Sequence, residues 1–326
     1  MMVILWAVVL VIGLASLVPG NCAEQSFPVP QFSTHTQPTV FQPPNADCPQ
    51  CGLRQEVLNF NRGSEQDPRE LVQPGQKNTP YGAIGHILDN DRMTMGTGFL
   101  VGRCTVLTNI HVLNDAFTKE VTHQSKFRFA IQTKNFSKDE TPDPKYIYAN
   151  EATPSEWGSG GPRDDWAVLR LTPNSKGKCL GDYLGWIPID ETFLRPVAYL
   201  KKLLAMGHQF ELAGFPVFAK GKAMMTHRNC AFANVETDDD YPVYRHFCST
   251  NHGNSGSPIW YCEKPNQNCH VVAIHSSSDR AASWPGVDNI TLVLREDFEN
   301  VAEISNYATP LRAFRCAVAR ALAKGY

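Results

Sequence analysis

The sequence lacks a dominant charge. Its 30 basic and 32 acidic residues leave a formal net charge of −2, so no whole-molecule field recruits nucleic acid or an anionic membrane surface. It has no HExxH pair and no close cluster of histidines and carboxylates. The lone CxxC at Cys48 and Cys51 has no second CxxC or CxxH to complete a zinc site. These absences argue against a metal-dependent enzyme, no cofactor is expected, and a structural disulfide role is the better reading of Cys48 and Cys51. No internal repeat is visible. After Gly20 no apolar run reaches the about 18 to 20 residues that a membrane-spanning helix requires.

What is present begins with an uncharged apolar leader, Met1 to Val18, followed by Pro19, Gly20 and polar sequence. It reads as an export signal over residues 1–20, cleaved after Gly20. The missing basic n-region leaves an uncleaved anchor as the alternative. Export explains the ten cysteines, because exported proteins are oxidised. Cys262 and Cys269 flank one polar loop and Cys230 and Cys248 bracket another segment, so these two pairs are the disulfide candidates. The protein is expected outside the cytoplasm, as a monomer. Asn135-Phe-Ser and Asn289-Ile-Thr are glycosylation acceptors only in a host that glycosylates exported chains.

Residues 21–80 are crowded with proline, glutamine and asparagine, too densely for helix or central strand. This segment is either a removable propeptide or a retained arm. Beyond it, over 81–326, short apolar runs are broken by turn residues: 83–88, 98–101, 105–109, 126–132, 167–171, 270–275 and 290–294. That texture suggests an all-β barrel or sandwich. Apolar residues at Leu311, Phe314, Cys316, Ala317 and Leu322 fit a closing amphipathic helix over about 309–323, with Pro310 in its first turn.

Three segments carry chemistry. Gly253-Asn254-Ser255-Gly256-Ser257-Pro258 holds a serine between glycines, as a turn that exposes a nucleophile requires. The backbone N–H groups of Gly253 and Ser255 are placed to hold an oxyanion. Thr108-Asn109-Ile110-His111 ends an apolar strand on a histidine suited to general-base work. Asp165 opens Asp-Trp-Ala-Val-Leu and supplies a carboxylate to orient that histidine. Asp164 is its rival; Asp165 is favoured because it abuts the apolar run. Pro258 just after the serine argues against a strand-turn-helix nucleophile elbow.

Together these segments, over about Tyr81 to Leu294, resemble the chymotrypsin-like serine proteases, and within them the bacterial-type branch that includes the glutamyl endopeptidases. The resemblance implies two six-stranded antiparallel β-barrels and a His111-Asp165-Ser255 triad acting on polypeptides through an acyl-enzyme. It also implies that Ser276 bonds Asp165 and that the segment Ser276 to Ser278 pairs with substrate backbone. Thr250 and His275 stand where the glutamyl-specific members hold an acidic P1 side chain. A hydroxyl and an imidazole that can be charged suit one carboxylate. Ser249, at the pocket floor, disfavours Arg or Lys at P1. Cys104 has no evident partner near His111, unlike the animal trypsins. Asn254 stands where an aspartate would receive a new N-terminus, so activation by that ion pair is not expected. The alternative from a different class is a catalytically silent binding protein on the same fold.

Overall fold

The computed structural model describes residues 69–75, 80–89, 94–114, 120–136, 144–160, 164–189, 210–216, 222–230, 232–236, 243–246, 248–250, 252–264, 266–278 and 306–325. The leader, the Cys48–Cys51 pair, Asn289 and the strand expected at 290–294 lie outside them.

Six strands close a barrel: β2 (Ile84–Leu88), β3 (Thr94–Leu100), β4 (Thr105–Thr108), β5 (Phe127–Gln132), β6 (Ile147–Trp157) and β7 (Ala167–Leu171), in the order β2-β3-β4-β7-β6-β5. Antiparallel pairing of His86 with Ala130 joins the ends of that order. Closure removes free edges. Phe99, Leu100, Val106, Leu107, Phe129, Ile131, Val168 and Leu169 are fully buried. Each such side chain contributes about 1.5–3 kcal/mol on leaving water.

Among the described residues the second sheet runs over eight strands, in the order β1-β9-β8-β12-β13-β14-β11-β10. These are β1 (Glu70–Val72), β8 (Phe210–Gly214), β9 (Met224–Cys230), β10 (Phe232–Glu236), β11 (Val243–His246), β12 (Pro258–Lys264), β13 (Gln267–Ser278) and β14 (Asn306–Pro310). Trp260, Phe210 and the run Val271 to Ile274 fill its interior. Helix α2 (Leu311–Ala323) buries Phe314, Ala317, Val318 and Ala321, the i, i+3, i+4, i+7 stripe of an amphipathic helix. That face packs on β6, β7 and β13. Two details of the expected helix differ. Pro310 ends β14 as the helix N-cap rather than sitting in the first turn, and Leu322 is exposed.

The extra strand β1 comes from the segment read as propeptide or arm. It pairs antiparallel with Met224–Thr226 of β9. Asn135 locks it: its Nδ2 donates to the Val72 carbonyl and its Oδ1 accepts from Met224 N at 3.1 Å. Asn135 is buried and bonded at both ends of its amide, so in the folded protein it is not available to a glycan. Burial of Val72 and the ladder bonds give β1 a stabilising share of about 3 kcal/mol. A chain beginning at Tyr81 is therefore expected to melt about 5–10 °C below one beginning at Arg69. Thermal unfolding of the two truncations checks this, and equal melting temperatures would mean that β1 is dispensable.

Candidate active site

Register brings the histidine and the aspartate together. Thr108, the last residue of β4, lies opposite Ala167, the first of β7, so the chain leaving β4 and the chain entering β7 share one edge of the barrel. Asn109 is extended there, and the one-turn helix α1 (Ile110–Leu113) then presents His111. His111 Nδ1 lies 2.6 Å from Asp165 Oδ2, and the His111 backbone N–H donates to Asp165 Oδ1 at 3.1 Å. Ser276 Oγ donates to the same Oδ2. The Asp165 carbonyl accepts from Asn109 Nδ2 at 2.6 Å and from Thr309 Oγ1 at 3.2 Å.

Burial acts to raise the Asp165 carboxyl, but the hydrogen bond and charge of His111, with the Ser276 hydroxyl, outweigh it and hold the group below the usual carboxylate range. Asp165 therefore stays ionised. Asp164 points elsewhere: its carboxylate accepts from Ser159 N and Oγ, each at 2.7 Å, and from Trp166 Nε1 at 2.6 Å. It caps a loop and does not meet His111.

The nucleophile turn is held from both sheets. Thr97 N, from β3, donates to the Ser255 carbonyl at 2.8 Å. Gly256 N donates to the His275 carbonyl of β13, and His275 N to the Ser257 carbonyl, both at 2.9 Å. Gly253 and Gly256 have φ of 92° and 86°, a region that L side chains rarely adopt. A Cβ on Gly256 would also lie 2.0 Å from the Thr97 carbonyl oxygen. Among the described residues the N–H groups of Gly253 and Ser255 meet no intramolecular acceptor, which leaves them free for an oxyanion. Ser255 Oγ donates to the Ser276 carbonyl at 3.3 Å. No hydrogen bond joins it to His111 among the described residues, as is common for a nucleophile and base before substrate binds.

Residues of the expected specificity pocket are less directly joined. Thr250 is half-buried and His275 is buried, with no hydrogen bond between them among the described residues. His275 instead meets His246, a residue that the sequence reading did not single out. His246 Nε2 lies 3.1 Å from His275 Nδ1, and His246 Nδ1 accepts from Cys248 N at 3.2 Å. Both imidazoles also bond the Tyr307 backbone. His227 Nδ1 accepts from Ser249 N at 2.7 Å. Burial, with the nearby His111 in the same direction, lowers His275 to about 3, and His246 is also held well below the ordinary imidazole range by burial and by His275. The imidazole expected to be chargeable is therefore neutral. Ser278 lies at the end of β13, opposite Asn306.

Disulfides join Cys230 to Cys248 and Cys262 to Cys269, and Cys104 finds its partner in Cys179. The first anchors the chain just before Ser249 and Thr250. Among the described residues no group of three or more His, Cys, Asp or Glu side chains could hold a metal ion.

Residues 96–264 match the trypsin-like peptidase domain family. The chain is also 31% identical over 214 residues to exfoliative toxin A of Staphylococcus aureus, a stretch covering 64% of this chain and 67% of that protein. With the closed barrel, the second sheet and the bond between His111 and Asp165, these matches assign the chain to the trypsin-like peptidases, the chymotrypsin-like serine proteases.

Proposed function

We propose that this trypsin-like peptidase is an exported endopeptidase of the glutamyl type, acting as a monomer on polypeptides without a cofactor. The observation that carries the catalytic part is the bond between His111 Nδ1 and the buried, ionised Asp165. With Nδ1 protonated toward Asp165, Nε2 is free to take the Ser255 proton as Oγ attacks the scissile carbonyl. The N–H groups of Gly253 and Ser255 hold the tetrahedral oxyanion. His111 then returns the proton to the leaving amine, and water resolves the acyl-enzyme by the same steps in reverse. The disulfides among the described residues support export, with residues 1–20 as the signal.

The acidic P1 preference rests on Thr250 and on His275, the latter buried beside His246 and bonded to the Tyr307 backbone. A neutral imidazole has a signature of its own. A peptide with Glu at P1 is expected to exceed its Gln counterpart in kcat/KM by about 10- to 100-fold. That ratio stays level from about pH 6 to about pH 9, because His275, beside His246, His111 and Asp165 and bonded to the Tyr307 backbone, carries no charge to lose there. Paired Glu and Gln substrates across pH check both points. A ratio that falls about tenfold per pH unit above neutrality would mean recognition by an imidazolium. A ratio near one would remove the P1 assignment and leave the triad standing, and no hydrolysis of any peptide would favour the silent binding protein.

A further inference from the structure

We propose that Thr97, a barrel residue outside the triad, is a positioning residue of the oxyanion site; this rests on the serine-protease reading above. Thr97 is fully buried in β3, and its N–H, hydroxyl and carbonyl are all committed to the nucleophile turn or its neighbours. Its N–H donates to the Ser255 carbonyl at 2.8 Å. Its Oγ1 donates to the Gly253 carbonyl at 2.7 Å and accepts from Phe215 N at 3.1 Å. Its own carbonyl accepts from Thr108 Oγ1 at 2.7 Å, three residues before His111.

The bond to Gly253 matters most because of where it acts. The two oxyanion donors are the N–H groups of Gly253 and Ser255, and the peptide unit between Gly253 and Asn254 separates them. Gly253, at φ 92°, has no side chain to restrict its rotation. The turn's own polar side chains do not hold it: among the described residues Asn254 Oδ1 and Nδ2 and Ser257 Oγ make no hydrogen bond. The Thr97 hydroxyl thus fixes the plane of that peptide from outside, while the Thr97 N–H fixes the carbonyl of Ser255. A hydrogen-bond donor worth its full effect only when aimed at the oxyanion depends on such fixing.

The test compares Thr97→Val and Thr97→Ser with wild type in the full chain. Competent sites are counted by the burst of a chromogenic acyl ester, turnover is measured per counted site, and a peptide aldehyde reports oxyanion affinity. Thr97→Val is expected to lower kcat per site by about 10- to 100-fold with KM within about twofold. Aldehyde affinity falls by the same factor, and Thr97→Ser restores most of both. If Thr97→Val is insoluble, Thr97→Ala carries the same expectation. Fewer competent sites with normal turnover and normal aldehyde affinity per site would reduce Thr97 to a structural role and overturn the proposal. A wild type without a burst would instead overturn the protease reading itself.

Discussion

Ser255→Ala is expected to lower kcat by about 10⁶-fold while leaving substrate affinity within a few-fold of wild type. The size follows from what the serine does and does not support. Its backbone carbonyl is held by Thr97 N and its turn by Gly256 N and His275 N, none of which involves the side chain. Among the described residues its hydroxyl makes one hydrogen bond, the 3.3 Å bond to the Ser276 carbonyl, so removing it leaves the fold and the cleft in place. What remains is the pair of N–H donors and the binding surface, worth about 10³- to 10⁴-fold over water. Single-turnover kinetics with direct measurement of peptide binding separate the two quantities. A variant that keeps more than about one per cent of turnover would mean that another group attacks the carbonyl.

Much of the barrel was legible because its strands are buried on their inner faces and apolar. Ala167–Leu171 and Phe127–Gln132 stand within a residue of the runs read from sequence. Strand β6 was missed because it is largely half-exposed and carries Asn150, Glu151, Pro154 and Glu156 within it, so neither alternation nor apolar content marks it. Strand β1 was missed because three residues in a proline-rich segment gain their strand only from the edge that β9 offers. At the site, the meeting of His111 with Asp165 was readable from motif order. His246 was not: it sits in a four-residue strand whose neighbour β14 lies some sixty residues on, and nothing local ties it to His275. Thr97 was equally hidden, since its role comes from a contact 156 residues distant in sequence.

The choice between two adjacent aspartates yields the sharpest comparison. Asp165→Asn is expected to lower kcat/KM by about 10⁴-fold, whereas Asp164→Asn stays within a few-fold. In the variant the amide Nδ2–H faces His111 Nδ1 at the position where the carboxylate oxygen accepted at 2.6 Å. Nδ1 must then become the acceptor, the proton moves to Nε2, and the imidazole can no longer take the Ser255 proton. Asp164 serves Ser159 and Trp166, so its loss loosens a surface loop. Stability separates the cases further. Because the folded-state pKa of Asp165 is depressed, its contribution is present above the unfolded value of about 3.9 and is lost as pH falls through the folded one. The melting-temperature gap between wild type and Asp165→Asn therefore narrows as the medium is acidified below about pH 4, while the loss of activity persists at neutral pH. Matched losses in both variants would mean that neither aspartate alone orients His111, and a loss confined to Asp164→Asn would reverse the assignment.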